Sequence, residues 1–301
     1  MKIYINREPI HGPWGGGAKT VNKLVSVLKD KGHEVVFKLG PNIDKIFCFD
    51  PRPNNYGESI FNLLEYKKNN STKIIQRVGD VGTHGKPELT RLVKMNLNEV
   101  DHLIFPSKWA KDKIDFVGDN CDIIFNAPMK EFYNDRQSRE STMPVPTIIT
   151  HHWSTNPKKG FKVYEEFDKY CQLTGLFEFY YIGQIPQSCR FKNYHPPLNA
   201  SDLTQVLPKF DIYLTASEEE AGANHVLEAM ASGLPVVYIN SGGSIPEYCD
   251  GFGRQYSNFS ELVDSVNHVA QNYSSYKRDV LKYGGTNDNT IEKYYKIIES
   301  I

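Results

Sequence analysis

Residues 218 to 237 read Glu218-Glu-Glu-Ala-Gly-Ala-Asn-His-Val-Leu-Glu-Ala-Met-Ala-Ser-Gly-Leu-Pro-Val-Val237. Before them, Asp211-Ile-Tyr-Leu-Thr-Ala-Ser217 has the composition of a buried strand, and Pro235-Val-Val-Tyr-Ile239 after them has it again. Strand, glycine-bearing loop, helix and second strand make one crossover unit. The helix is predicted to begin near Asn224, an N-cap residue type, and to end at Gly233 and Pro235. Glu220 then lies in the loop above the first strand, Gly222 lets backbone amides approach a ligand, and Glu228 sits about one turn into the helix. Amides left unpaired at a helix N-terminus attract phosphate, and carboxylates accept hydrogen bonds from hydroxyl groups. The block points to a ligand carrying both, such as a nucleotide sugar; an ordinary crossover unit with solvated glutamates is the competing reading.

Glu220, seven intervening residues and Glu228, continued as Glu228-Ala-Met-Ala-Ser-Gly-Leu-Pro-Val-Val237, resemble the E-x7-E signature of retaining GT-B glycosyltransferases, most closely glycosyltransferase family 4. The resemblance implies an α/β, GT-B fold: two Rossmann-like, doubly wound parallel-sheet domains facing a central cleft. It also implies transfer of a hexosyl group from a nucleoside diphosphate sugar to a hydroxyl of a glycan or lipid-linked glycan, with retention and without metal or cofactor. Carried over, the donor sugar falls to Glu220, the ribose hydroxyls to Glu228, and the diphosphate to the backbone of Gly222, Ala223 and Asn224. A GT-B epimerase or phosphorylase, or a catalytically silent nucleotide-sugar or glycan-binding protein, would carry the same ligand-binding block.

The rest of the chain fits that frame. Its 301 residues suit two domains of roughly 150 residues. With 35 basic and 36 acidic residues and a formal charge of −1, no long-range field favours nucleic acid. The five cysteines are scattered and never form CxxC, which suits reduced thiols in a cytosol better than a disulfide framework or zinc site. No apolar run is long enough to span a bilayer, so the expectation is a cytoplasmic protein, with peripheral membrane contact left open. Strand-like segments at Lys2–Asn6, Val35–Phe37, Lys45–Phe49, Lys73–Ile75, His102–Phe105 and Asp122–Phe125 alternate with helical patterns, the mark of a parallel sheet. A polar, turn-rich stretch from Tyr133 to Pro146 reads as the linker, and a second βα series begins at Thr147. The expected division is residues 1–140 for the acceptor side, 141–285 for the donor side, and 286–301 as a C-terminal helix returning to the first domain.

Five further motifs supply candidates. Gly12-Pro-Trp-Gly-Gly-Gly-Ala-Lys-Thr20 follows the first strand. It fails as a P-loop because Ala18 precedes Lys19, and as a dinucleotide fingerprint because Thr20 stands where the third glycine belongs. The resemblance assigns Gly16 and Gly17 to the donor. After the strand at 147–150 comes His151-His-Trp-Ser-Thr-Asn-Pro-Lys-Lys-Gly160, where the family shows a glycine-arginine pair and then lysine-glycine. Lys159-Gly160 matches the second part; the arginine is missing. Lys159 takes the cation role, with His152 and Ser154 as phosphate contacts. Paired histidines as metal ligands are disfavoured, since neighbours on an extended segment point oppositely. In the first domain, Arg77-Val-Gly-Asp-Val-Gly-Thr-His84 reads as a site loop at a strand's carboxyl end. The resemblance offers Asp80 or His84 to the sugar or acceptor, with His84 favoured; a structural histidine in a turn is the competing reading, and from the residues alone Arg77 is expected simply to pair with Asp80. Ser241-Gly-Gly-Ser-Ile-Pro-Glu247 is expected to shape the pocket, and His195-Pro-Pro-Leu198 to lie near the nucleotide base.

Overall fold

The computed structural model describes residues 1–10, 16–53, 57–136 and 144–301. Two compact units emerge, the first from Met1–Asn126 with Asn287–Ile301 and the second from Ala127–Thr286. In the first unit, strand β1 (Lys2–Ile5) leads through helix α1 (Gly16–Asp30) to β2 (Glu34–Val36) and β3 (Lys45–Cys48). Then come α2 (Ile60–Lys68), β4 (Lys73–Arg77), α3 (Pro87–Asn96), β5 (His102–Phe105), α4 (Lys108–Ile114) and β6 (Cys121–Ile123). The strands form one six-stranded sheet in the order β2-β1-β3-β4-β5-β6, with parallel pairing throughout.

The second unit repeats the plan. Strand β7 (Thr147–His152) is followed by α5 (Phe161–Thr174), β8 (Glu178–Gly183), β9 (Asn193–His195) and α6 (Ala200–Val206). The chain continues through β10 (Ile212–Thr215), α7 (Asn224–Ala231), β11 (Val236–Ile239), α8 (Ile245–Cys249), β12 (Gly253–Tyr256), α9 (Phe259–Gln271) and α10 (Tyr273–Val280). The parallel order is β12-β11-β10-β7-β8-β9. From β7 the chain builds outward to β9, returns to β10 on the other side, and builds outward again. Strands β7 and β10 are therefore neighbours whose following loops diverge, and this switch point is where open α/β sheets bind ligands.

Both faces of the second sheet are covered. Ile149, Tyr213, Val236 and Tyr238 pack with Val226, Leu227 and Met230 of α7, while Ile148, Ile212, Leu214 and Val237 pack with α5 and α9 through Phe161, Tyr164 and Val266. Burial on both faces makes strands such as Val236–Ile239 apolar at every position. The last helix, α11 (Asn287–Ser300), joins the first unit, burying Ile291, Tyr294 and Ile298 against Val21, Leu24 and Leu28 of α1.

Several expectations need correction. Residues 127–136, assigned above to the first domain, belong to the second unit: Phe132 is fully buried in its core and the Tyr133 hydroxyl donates to Gly285 O at 2.6 Å. The boundary at residue 140 itself falls outside the described residues. Helix α2 starts at Ile60 instead of residue 57, because Ser59 caps it by accepting from the Asn62 amide. Strands β9 and β12 and helices α8, α9 and α10 were not anticipated.

Candidate functional site

Two loops meet at the switch point of the second sheet. After β10, the segment Glu218–Glu220 is clamped by the turn at 241–244: the Glu219 amide donates to Ser241 O, the Glu220 amide to Gly242 O, and the Ser244 amide to Glu220 O at 2.8 Å. Glu219 takes φ 49°, a left-handed conformation that costs a non-glycine residue on the order of 1–3 kcal/mol and persists only where its surroundings enforce it. Gly243, at φ 73°, is what lets the turn close; a Cβ there would lie 2.4 Å from Glu220 O. After β7, Asn156 caps the single 3-10 turn Pro157–Lys159, and the carbonyl of Lys158 accepts from the Glu218 amide at 2.8 Å. Gly160, at φ 84°, passes so near β10 that an added Cβ would stand 2.3 Å from Ala216 O. That close approach explains why glycine follows the lysine.

These loops bring opposite charges together. Lys159 Nζ pairs with Glu220 Oε1, which also receives a hydrogen bond from Ser217 Oγ, and Lys158 pairs with Glu219. The Lys159 and Glu220 side chains retain 13% and 12% of their exposure, enough to meet a ligand yet sheltered enough to strengthen the attraction. Helix α7 begins at Asn224, as expected, with Ala223 at the cap position and no side-chain cap. The Ala223 amide donates to Ser244 Oγ at 3.1 Å, so the helix-end donors offered to an anion are those of Asn224 and His225. One turn on, Glu228 Oε2 lies 3.0 Å from His151 Nε2, and the other ring nitrogen of His151 lies 3.1 Å from the Tyr213 hydroxyl. His225, on the buried face of the same helix, has its Nε2 3.0 Å from Thr215 Oγ1; burial lowers its pKa to about 3 and keeps the ring neutral. A cation, helix-end amides and carboxylates at one strand crossing can hold a phosphate and several hydroxyl groups at once.

Lys159 and Glu220 meet in the two loops, Asn224 opens α7 and Glu228 follows one turn later, with Gly222 in the preceding loop; the Ala223 amide, expected at the diphosphate, is instead taken by Ser244 Oγ. His152 takes another course: 4% exposed, it stands with Nε2 2.7 Å from the Tyr164 hydroxyl, which also accepts from the Ala216 amide. Burial pushes the Tyr164 hydroxyl up to about 12, so it keeps its proton beside the imidazole. The phosphate contact expected of His152 gives way to a core role, and its neighbour His151 reaches the site. Ser154 accepts from the Asn156 amide at 3.1 Å within its own turn. His151, Lys158, Tyr213 and His225 were missed. Lys158 and His225 lay inside the two motifs already singled out, whereas Tyr213 looked like any strand aromatic.

In the first unit, Gly16 and Gly17 open α1, and a Cβ at Gly17 would meet nothing, so packing does not require glycine there. Residues Gly12 to Gly15 lie outside the described residues. His84 occupies the half-buried turn before α3. Asp80 accepts from the Gly82 amide at 2.8 Å and pairs with Lys86 at 2.7 Å. The expected Arg77–Asp80 pair is absent: buried Arg77 donates instead to the Tyr294 hydroxyl at 3.0 Å and to Asn126 Oδ1 at 2.9 Å. In the second unit, His195 and Leu198 border a cavity of about 600 Å³ between β8, β9 and α6. Among the described residues no group of three or more His, Cys, Asp or Glu is placed to hold a metal ion, and no helix is long and apolar enough to cross a membrane.

Residues 178–272, which include the α7 block, match the family described as "Glycosyl transferases group 1". The whole chain superposes on WaaG, a glycosyltransferase involved in lipopolysaccharide biosynthesis, with TM-score 0.68 and 14% identity over 100% of both chains. A glycosyltransferase from Rickettsia africae gives TM-score 0.68 and 13% identity over 99% of this chain and 97% of that one. The pneumococcal O-GlcNAc transferase GtfA, solved with UDP and GlcNAc, gives 0.63 and 13% over 93% of this chain and 60% of GtfA. No curated protein matches. At such identities the likeness establishes the fold, which is GT-B.

Proposed function

We propose that this chain is a metal-independent, retaining glycosyltransferase that moves a hexosyl group from a nucleoside diphosphate sugar to a hydroxyl of a glycan or lipid-linked glycan. The observation that carries this reading is the Lys159–Glu220 pair set beside the start of α7, with Glu228 one turn further on. The family match over 178–272 and the GT-B fold support it. The donor diphosphate draws on Lys159 and the amides of Asn224 and His225, the ribose on Glu228, and the sugar hydroxyls on Glu220. His84 and the glycines Gly16 and Gly17 are the candidates that the first unit offers for a ligand. As the bond between the anomeric carbon and the diphosphate breaks, its electron pair stays on the phosphate, where Lys159 and the helix end stabilise the growing charge. The acceptor oxygen attacks from the face being vacated, and its proton passes to the departing phosphate.

A thermal-shift panel of sugar nucleotides, with UDP sugars first because GtfA binds UDP, identifies the donor through stabilisation by mass action. NMR of the product then reads the anomeric configuration, and the reaction is expected to proceed in excess chelator. An inverted linkage, or activity that returns only with added divalent metal, contradicts the proposal. Donor hydrolysis or epimerisation without transfer points to an epimerase or phosphorylase, and tight donor binding without turnover points to a binding protein.

A further inference from the structure

The proposed function leaves His151 unused, and its surroundings are specific. It is 7% exposed near the end of β7, with Nε2 3.0 Å from Glu228 Oε2 and Nδ1 3.1 Å from the Tyr213 hydroxyl. A carboxylate only accepts hydrogen bonds, so Nε2 carries a proton. In the neutral ring Nδ1 is then an acceptor and needs a donor. Tyr213 supplies one: its hydroxyl is fully buried on β10 and held well above its ordinary pKa, so it stays protonated. Tyr213 is in turn anchored by the His151 amide, which donates to its oxygen at 3.1 Å. The result is a chain of contacts from β10 through β7 to α7: the Tyr213 hydroxyl shares its proton between His151 Nδ1 at 3.1 Å and the His151 carbonyl at 3.2 Å, and His151 Nε2–H donates to Glu228.

We infer that His151 is a positioning residue that holds the Glu228 carboxylate in one orientation for the vicinal hydroxyls of the ligand's ribose. This rests on the nucleotide-sugar reading. A glutamate has several rotatable bonds, and holding it before the ligand arrives removes that ordering cost from binding. His151 thereby sets selectivity for ribose over deoxygenated sugars without touching the ligand.

The test uses the full chain and calorimetric titration with uridine, guanosine and adenosine diphosphates, followed by the 2′,3′-dideoxy form of the tightest binder. Wild-type protein is expected to prefer the ribose form by about tenfold to a hundredfold. His151→Ala should reduce that preference to about threefold or less and leave dideoxynucleotide affinity within about twofold, which also reports that the variant is folded. His151→Gln places an amide nitrogen near the position of Nε2 and should restore the preference; His151→Asn places one near Nδ1 and should not. Ribose selectivity that survives in both His151→Ala and His151→Asn overturns the inference while leaving the proposed function standing. If the wild-type chain binds none of the three diphosphates, the proposed function falls and the inference with it.

Discussion

Lys159 and His225 make contrasting use of burial. Lys159, largely sheltered from solvent, pairs with Glu220, and in the proposed reaction it meets a diphosphate whose negative charge grows as the sugar departs. An interaction that strengthens in the transition state acts on turnover, so Lys159→Ala is expected to lower kcat on the order of a hundredfold with a smaller change in donor affinity. Steady-state kinetics and donor titration separate the two; a rise in KM alone assigns Lys159 to uniform binding. His225 instead gives up its charge, its pKa falling from 6.5 to about 3 through burial. Between those values the unfolded chain binds a proton that the folded chain refuses, so stability rises with pH across the window. The loss begins below about pH 6.5 and continues toward pH 3, at up to about 1.4 kcal/mol per unit. His225→Gln does not titrate, so its urea midpoint should fall less steeply than the wild-type midpoint between pH 6.5 and 4.5. Equal slopes would remove His225 from the acid sensitivity.

Loops at the ends of β7, β10 and β11 form the site because glycines let their backbones touch. Gly243 and Gly251 offer a controlled comparison. Both have positive φ, 73° and 77°, but only at Gly243 would a Cβ collide, at 2.4 Å from Glu220 O and 2.6 Å from Glu220 N. Gly251→Ala should cost about 1 kcal/mol of stability for its conformation alone and leave turnover unchanged. Gly243→Ala carries the same strain and also displaces Glu220, so it should lower turnover at least about tenfold, beyond any fall in Tm. Thermal denaturation and activity of both variants decide this, and full activity in Gly243→Ala sinks the account of the clamp. Element type was legible where strands are buried on both faces, as in Val236–Ile239. It was not legible at β9 and β12, where Asn193–His195 and Gly253–Tyr256 are short, partly exposed and polar. Such edge strands are defined by a neighbour's open hydrogen-bonding groups, which no local pattern announces.

At the scale of the whole molecule, each unit has its own core, and the chain's last helix completes the first. Ile291, Tyr294 and Ile298 are fully buried in α11. At roughly 1.5–3 kcal/mol for each large apolar side chain, removing them approaches the whole stability of a domain. Truncation after Thr286 should therefore unfold the first unit and leave 127–286 resistant to limited proteolysis, read by mass spectrometry of the fragments. Uniform digestion, or a first unit that stays protected, counts against this division of the core. The sequence by itself determined the parallel α/β architecture, the placing of Glu220 above a strand and Glu228 one helical turn in, and the pairing of Lys159 with a following glycine. Those features are local, set by spacing along one strand, one turn or one helix. Only the tertiary structure decided which of two adjacent histidines reaches the site. The pleat sends His151 and His152 to opposite faces, but both faces are covered by helices, so no alternation of polar and apolar residues marks the one beneath α7. Arg77 was decided in the same way: its partner Tyr294 lies 217 positions along the chain, and packing of α11 against the first unit, not proximity in sequence, brings them together.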